Sequence, residues 1–161
     1  MIEEPLNRDH DRKSFDCGIS EINDFLRRYA RQNAERGVAQ TFVLVEPHEP
    51  RTILGYYSLS TAQVDFEQVS EEHRRRLPKY PVPAARMGRL GVDHRHQGQG
   101  IGSRLLGLAI RRCQAIRKEI GIVVLVVDAK DEAAASFYEH HGFTAVERDP
   151  LTLYLHLELR E

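Results

Sequence analysis

Residues 97 to 102, Gln-Gly-Gln-Gly-Ile-Gly, set three glycines at every second position between a histidine-containing turn and an apolar run. Glycine at such spacing either relaxes a tight turn or clears the backbone for a ligand. An apolar-periodic segment follows, so the second use has a physical basis: a helix N-terminus offers N–H groups and a partial positive charge to an anion, and a bare backbone lets a pyrophosphate approach. No Gly-Lys-Ser/Thr completes a P-loop, and Gly98-x-Gly100-x-Gly102 is not the G-x-G-x-x-G of a dinucleotide site. His94-x-His96 and the His140-His141 pair invite a metal reading, but no Cys, Asp or Glu completes a tetrahedral set at the usual spacing, and no metal is expected. Cys17 and Cys113 are too few and too isolated for a disulfide framework, and both read as small core side chains.

The elements that must position this turn alternate in type. Residues 20 to 36 read as a helix, with Ile22, Phe25, Leu26 and Tyr29 on one stripe, Ser20 as its cap and Gly37 at its end. Arg27, Arg28 and Arg31 lie off that stripe. "QTFVLVE" and "TILGYYSLSTAQV" read as a hairpin joined by "PHEPR", "VSEEHRRRL" as a short polar helix, "PKYPVP" as a loop and "ARMGRLGVD" as the strand feeding the glycines. Ile101, Leu105, Ala109, Cys113, Ile116 and Ile120 form the stripe of a long helix ending at Gly121. "IVVLVV" has the continuous apolar character of a strand buried on both faces. Residues 131 to 141 are helical with Gly142 as their left-handed cap, and "LTLYLHLEL" alternates as a last strand.

A chain of 161 residues, 41% hydrophobic and 29% charged, fits one soluble domain spanning 1–161. No run is long and apolar enough for a bilayer, and "MIEEPLNRDHDR" is too polar and acidic for a signal peptide, so a cytoplasmic location without membrane association is expected. A net charge of −1 argues against a general nucleic-acid binder. The charge is uneven, however: residues 61 to 130 hold 13 Lys or Arg against 7 Asp or Glu, and residues 131 to 161 hold 2 against 7. A local basic surface attracts a polyanion even on a near-neutral chain.

Gln97-Gly98-Gln99-Gly100-Ile101-Gly102 resembles the Q/R-x-x-G-x-G/A signature of the GNAT N-acetyltransferases. "AAASFYEHHGF", residues 133 to 143, resembles that family's second signature, A-x-x-F-Y-x-x-x-G-F. The resemblance implies an α/β (α+β) fold: a mixed, mostly antiparallel sheet splayed at its middle strands, with helices on both faces and acetyl-CoA in the split. It implies that Gln97, Gly98, Gln99, Gly100, Ile101, Gly102 and Ser103 hold the pyrophosphate, and that the backbone of Leu90, Gly91 and Val92 pairs with the pantetheine and supplies the oxyanion donor. Asp131 stands where many members carry an Asn that helps hold the pantetheine arm. "FDCGISEINDFLRRYA", "GYYSLS" and "LPKYPVPAARMGRLGVD" are similar to the acetyltransferase toxins of toxin–antitoxin modules. Those act on the amino group of aminoacyl-tRNA and are held inactive by ribbon-helix-helix antitoxins; a homodimer is implied as well.

Acetyl transfer needs a neutral amine, a donor for the oxyanion and a proton for the departing thiolate. The second signature assigns the last role to Tyr138, whose phenol, with a pKa near 10, stays protonated beside a thiol near 8.5. "ARMGRLGVD" holds no carboxylate before Asp93, so no general base is named. That suits an α-amino group near 8, already partly neutral at pH 7, better than a lysine near 10.4. Arg86 and Arg89, with Lys79, Arg27, Arg28, Arg31 and Arg36, are then candidates for tRNA phosphates. The expected activity is acetylation of charged tRNA, hence a translation-blocking toxin. Its alternatives are acetylation of a small amine or a protein N-terminus, and a catalytically silent acyl-CoA-binding module.

Overall fold

The hydrophobic hairpin and the glycine-flanked helix both form, within a strand order of β1-β2-β3-β4-β5-β7-β6 in a seven-stranded sheet. The strands are β1 (Ile2–Pro5), β2 (Gln40–Val45), β3 (Gly55–Val64), β4 (Val82–Val92), β5 (Val124–Asp128), β6 (Thr144–Val146) and β7 (Asp149–His156). The helices are α1 (Ser20–Asp24), α2 (Ala30–Glu35), α3 (Glu71–Arg74), α4 (Ile101–Arg117) and α5 (Glu132–His140), with a π-helical turn at Phe25–Tyr29 between α1 and α2. This computed structural model describes residues 1–65, 71–75, 77, 79 and 81–158. Ladders β1/β2, β2/β3, β5/β7 and β6/β7 are antiparallel and β4/β5 is parallel, the mostly antiparallel mixture expected.

The chain divides into two compact units, Met1–Ser60 with Gly88–Ala109, and Thr61–Met87 with Ile110–Glu161. In the first, Phe15, Phe25, Leu26, Ala30, Val43, Val45, Ile53 and Tyr56 form a buried cluster against which Leu6, Ile19 and Ile22 pack. Burial of each large apolar side chain there contributes about 1.5–3 kcal/mol. Phe15 meets the Tyr56 ring edge-on at 5.5 Å, and the Tyr56 hydroxyl donates to the Ile22 carbonyl at 2.6 Å, fixing α1 over the β2/β3 hairpin. In the second unit, Val64, Val82, Ala84, Val124, Val126, Val146 and Tyr154 make the corresponding cluster. Val124 to Val127 are all buried, as a continuous apolar strand requires.

Several boundaries differ from the sequence reading, each for a local reason. Ser20 does not cap α1; it is the first helical residue, and the N-cap position belongs to Ile19, which makes no side-chain cap bond. The segment from 20 to 35 is not one regular helix, because the π turn at Phe25–Tyr29 admits an extra residue and leaves Tyr29 50% exposed, outside the buried stripe. Gly37 ends the segment at φ +71°. Ile120 lies beyond the end of α4 and is exposed, while Ile101, Leu105, Ala109 and Cys113 are buried as the stripe requires. β4 begins at Val82, within the stretch read as loop, because Val82 and Ala84 face the core of the second unit. Pro78 and Tyr80 of that stretch lie outside the described residues, as do Val69, Ser70 and Arg76 of the polar helix, of which α3 is described. β1 escaped detection because its sequence, Ile-Glu-Glu-Pro, is polar; it pairs with β2 and ends at a proline that edge strands tolerate.

Candidate active site

The glycine turn is built from backbone geometry that only glycine accepts cheaply. Gly98 and Gly100 sit at φ +81° and +80°, and nothing lies within 4 Å of an ideal Cβ at either. Their necessity is therefore conformational, since an L side chain in the left-handed region costs about 1–2 kcal/mol even where space is open. The Arg104 N–H donates to the Gly100 carbonyl at 3.1 Å, so Gly100 opens α4. The first-turn N–H groups of Ile101, Gly102 and Ser103 then belong to a helix N-terminus facing the turn. Gln97 to Gly100 are exposed, Gly102 is half-buried and Ser103 is exposed.

Long-range bonds within the first unit hold this turn. The Gln97 side-chain amide donates to the Cys17 carbonyl at 3.2 Å and to the Val92 carbonyl at 3.0 Å. Asp93, fully buried, accepts from the Asp16 N–H at 3.1 Å, the Arg95 N–H at 3.0 Å and the Arg95 Nε at 2.9 Å. Burial pushes the Asp93 carboxyl up, but these hydrogen bonds and the Arg95 charge together outweigh it and hold the group below the usual carboxylate range. His94 shares a hydrogen bond of 2.9 Å between its Nδ1 and the Asp16 carbonyl, which ties it to the turn's scaffold. Among the described residues no group of three or more His, Cys, Asp or Glu is placed to hold a metal ion.

The strand feeding the turn has two halves. The parallel register of β4 with β5 runs from Ala84↔Val124 to Met87↔Val127. β4 continues through Gly88, Arg89, Leu90 and Gly91 to Val92 beyond that register. Leu90 and Val92 are half-buried and Gly91 is buried. A Cβ at Gly91 would stand 2.7 Å from Ile22 Cγ2, so this glycine lets α1 close against the strand. Gly55 is a similar close approach that the sequence reading missed, since a Cβ there would lie 2.7 Å from Leu105 Cδ1 and 3.0 Å from the Gly91 carbonyl oxygen.

In the second unit, α5 carries Tyr138. Asp131 is the N-cap of α5, accepting from the Ala134 N–H at 2.8 Å, so its carboxylate is engaged in starting the helix. Gly142, at φ +94°, closes the other end, and the Phe143 N–H returns to the Tyr138 carbonyl at 3.1 Å. Tyr138 is 7% exposed, with the Phe137 and Phe143 rings 5.4 and 5.5 Å away. Burial, and after it the negative charge of Asp128, pushes the phenol up to about 12, well above the ordinary value assumed from sequence. The group is thus held in its protonated form.

Asp128 is the carboxylate that the sequence reading did not bring to this site. It ends β5, forms an ion pair with Arg86 and accepts from the Thr152 hydroxyl at 3.3 Å. Arg86, half-buried, therefore has its charge partly answered within the protein. The other basic candidates divide between the units. Lys79 is exposed in the second. In the first, Arg89 is exposed with its guanidinium 4.1 Å over the Phe25 ring, and Arg28 and Arg36 are exposed. Arg27 is half-buried and donates to the Phe15 carbonyl, and Arg31 faces Glu35 at 3.7 Å.

Residues 39–145 match the acetyltransferase (GNAT) domain family. A tRNA-acetylating toxin of Mycobacterium tuberculosis (strain ATCC 25618 / H37Rv) is 35% identical over 142 residues, covering 88% of this chain and 83% of the relative. The structure of AtaT complexed with acetyl-methionyl-tRNAfMet superposes with a TM-score of 0.90 at 28% identity, over 96% of this chain and 94% of that one. A tyrosine-to-phenylalanine mutant of the AtaT toxin, bound to acetyl-CoA and to the C-terminus of the antitoxin AtaR, gives a TM-score of 0.81 at 26% identity, over 97% and 92% of the two chains. A left-handed glycine turn opening a long helix, in a chain matched over most of its length by such relatives, leads to one assignment: the protein belongs to the GNAT family and is an acetyl-CoA-dependent N-acetyltransferase.

Proposed function

We propose that the acceptor is the α-amino group of an aminoacyl-tRNA, and that the chain is the translation-blocking toxin of a toxin–antitoxin module. The observation that carries this reading is β4, Val-Pro-Ala-Ala-Arg-Met-Gly-Arg-Leu-Gly-Val, which contains two arginines and no carboxylate. An α-amine with pKa near 8 is roughly one-tenth neutral at pH 7, whereas a lysine near 10.4 is neutral in only about one molecule in 2,500. A strand without a base therefore suits the former. The similarity to a tRNA-acetylating toxin and to a toxin solved with a tRNA product supports the same acceptor.

The steps assign work to this chain's own groups. The turn Gln97–Ser103 receives the pyrophosphate of acetyl-CoA on backbone N–H groups, and the Leu90–Val92 backbone lies along the pantetheine and faces the thioester oxygen. The neutral amine attacks the carbonyl carbon, the C–N bond forms, and the C–S bond breaks. Tyr138 donates its proton to the departing thiolate, and the proton lost by the amine restores the phenol, directly or through water. Asp131 acts on the pantetheine arm only through the helix it caps. Arg89, Lys79, Arg28, Arg36, Arg31, Arg27 and Arg86 meet tRNA phosphates. A ribbon-helix-helix antitoxin partner, a homodimeric state and a cytoplasmic location complete the proposal; no described helix is long and apolar enough to cross a membrane.

The test is transfer from labelled acetyl-CoA to aminoacylated tRNA, with a polyamine and a peptide N-terminus as competing acceptors. Label in N-acetylated aminoacyl-tRNA is expected. Label confined to the polyamine or peptide would overturn the acceptor.

A further inference from the structure

The π turn at Phe25–Tyr29 directs an aromatic ring outward. The Ala30 N–H reaches back five residues to the Phe25 carbonyl, so one more residue than an α-turn holds is fitted between inward positions. Phe25, Leu26 and Ala30 are accordingly 4%, 0% and 0% exposed, while Tyr29 is 50% exposed. Within residues 20–36 Tyr29 is the one exposed large hydrophobic residue, and its side chain makes no hydrogen bond or ring contact with the described residues. A π turn is rare and occurs frequently at functional sites.

Residues 20–36 carry four arginines against Glu21, Asp24 and Glu35, and the excess lies in the later turns. Residues 25–36 contain Arg27, Arg28, Arg31 and Arg36 against Glu35 alone. Arg28 is exposed beside Tyr29 in the chain. The Arg89 guanidinium is exposed and stacked over Phe25, the first residue of the same turn, at 4.1 Å. A protein interface would need an apolar core, and within residues 20–36 no second large hydrophobic residue is exposed, Val38 beyond the segment being 59% exposed. An isolated aromatic among arginines is instead the pattern by which proteins hold unpaired nucleotides, with the ring on a base and the guanidinium groups on phosphates.

Resting on the acceptor named above, we propose that Tyr29 is a stacking platform for an unpaired base of the tRNA, with Arg28 and Arg89 on its phosphates. The ring is what the role requires, so the hydroxyl is dispensable.

The experiment measures initial rates against aminoacyl-tRNA, and tRNA binding over a salt series, for wild type, Tyr29→Ala, Tyr29→Phe and Arg28→Ala. Tyr29→Ala should raise the KM for aminoacyl-tRNA about tenfold or more, leave the KM for acetyl-CoA unchanged, and leave the salt dependence of binding unchanged. Tyr29→Phe should behave as wild type. Arg28→Ala should weaken binding and reduce the slope of log K against log salt by about 1. A wild-type KM in Tyr29→Ala, or an equal loss in Tyr29→Phe, overturns the stacking role while leaving the acceptor intact. Tyr29→Ala that keeps tRNA affinity but loses self-association or antitoxin binding makes the surface a protein interface and likewise overturns it. A wild-type protein that neither binds nor labels tRNA removes the acceptor itself, and this proposal with it.

Discussion

Replacing Tyr138 by phenylalanine removes a single oxygen from a ring packed between Phe137 and Phe143, so the fold is retained and the chemistry is exposed to measurement. A phenol raised to about 12 lies about 3.5 units above a thiol near 8.5, so handing over the proton costs about 5 kcal/mol, against about 2 for an ordinary tyrosine. Burial that raises the phenol raises the basicity of a thiolate beside it too, which narrows that gap. Loss of the donor should lower kcat about 10²- to 10⁴-fold, with little change in either KM. The pH dependence gives the sharper reading. In wild type, kcat/KM should rise with a midpoint near 8, as the acceptor amine loses its proton, and then stay level to pH 9.5. A tyrosine at its ordinary value near 10 would already cost about a quarter of the rate at pH 9.5. Stopped-flow or quenched transfer over pH 6–9.5, fast enough to outrun ester hydrolysis, checks both points. A Tyr138→Phe variant at the wild-type rate refutes the acid role; a falling limb below pH 9.5 that disappears in the variant refutes the raised phenol.

Other expectations follow from the same geometry. Gly100→Ala, placing a side chain at φ +80° with nothing within 4 Å, should raise the acetyl-CoA KM about 5- to 30-fold from a conformational cost of about 1–2 kcal/mol. Gly121→Ala, also in open space but without a positive φ, should leave it unchanged. Asp93→Asn should lower stability by about 1–3 kcal/mol at pH 7 through weakened bonds to Asp16 and Arg95. Because the Asp93 carboxyl is held low in the folded chain, its contribution is present above the unfolded value near 4. The difference between wild type and variant should therefore shrink as urea titrations move below pH 4. The buried phenols act at the other end. Tyr138, raised to about 12, contributes stability that is present below pH 10 and falls by about 2 kcal/mol as the pH rises to 12, an alkaline weakening that Tyr138→Phe should reduce.

Features decided within a few residues could be read from the sequence. Gly142 announces a left-handed cap, residues 131 to 141 read as the last helix and Val124–Val127 form a buried strand, because each depends on its own conformational preference or apolar run, whereas Gly98 and Gly100 read as clearance and prove to be left-handed turn residues in open space. The GNAT family emerged from those local signatures. Features that depend on pairing across the chain stayed hidden. Asp128 meets Arg86 across 42 positions, and Asp93 reaches Asp16 across 77, so no local pattern signals either. The π turn was invisible for another reason: a 3.6-residue period assigns Tyr29 to the buried stripe, and one inserted residue moves Ala30 there instead.

The Gln97 amide, bonded to carbonyls 80 and 5 residues back along the chain, has a consequence for how the protein is made. Left-handed glycines supply a turn of the right shape, yet the Gln97 and Asp93 anchors that fix it need residues 16 and 17 to have closed onto residues 92 to 97. Such closure carries a loop-entropy cost that a local segment cannot meet with its own contacts. The turn is therefore not a transplantable peptide motif; a fragment containing only β4, the turn and α4 would carry the signature without the residue 16 and 17 anchors that fix its shape.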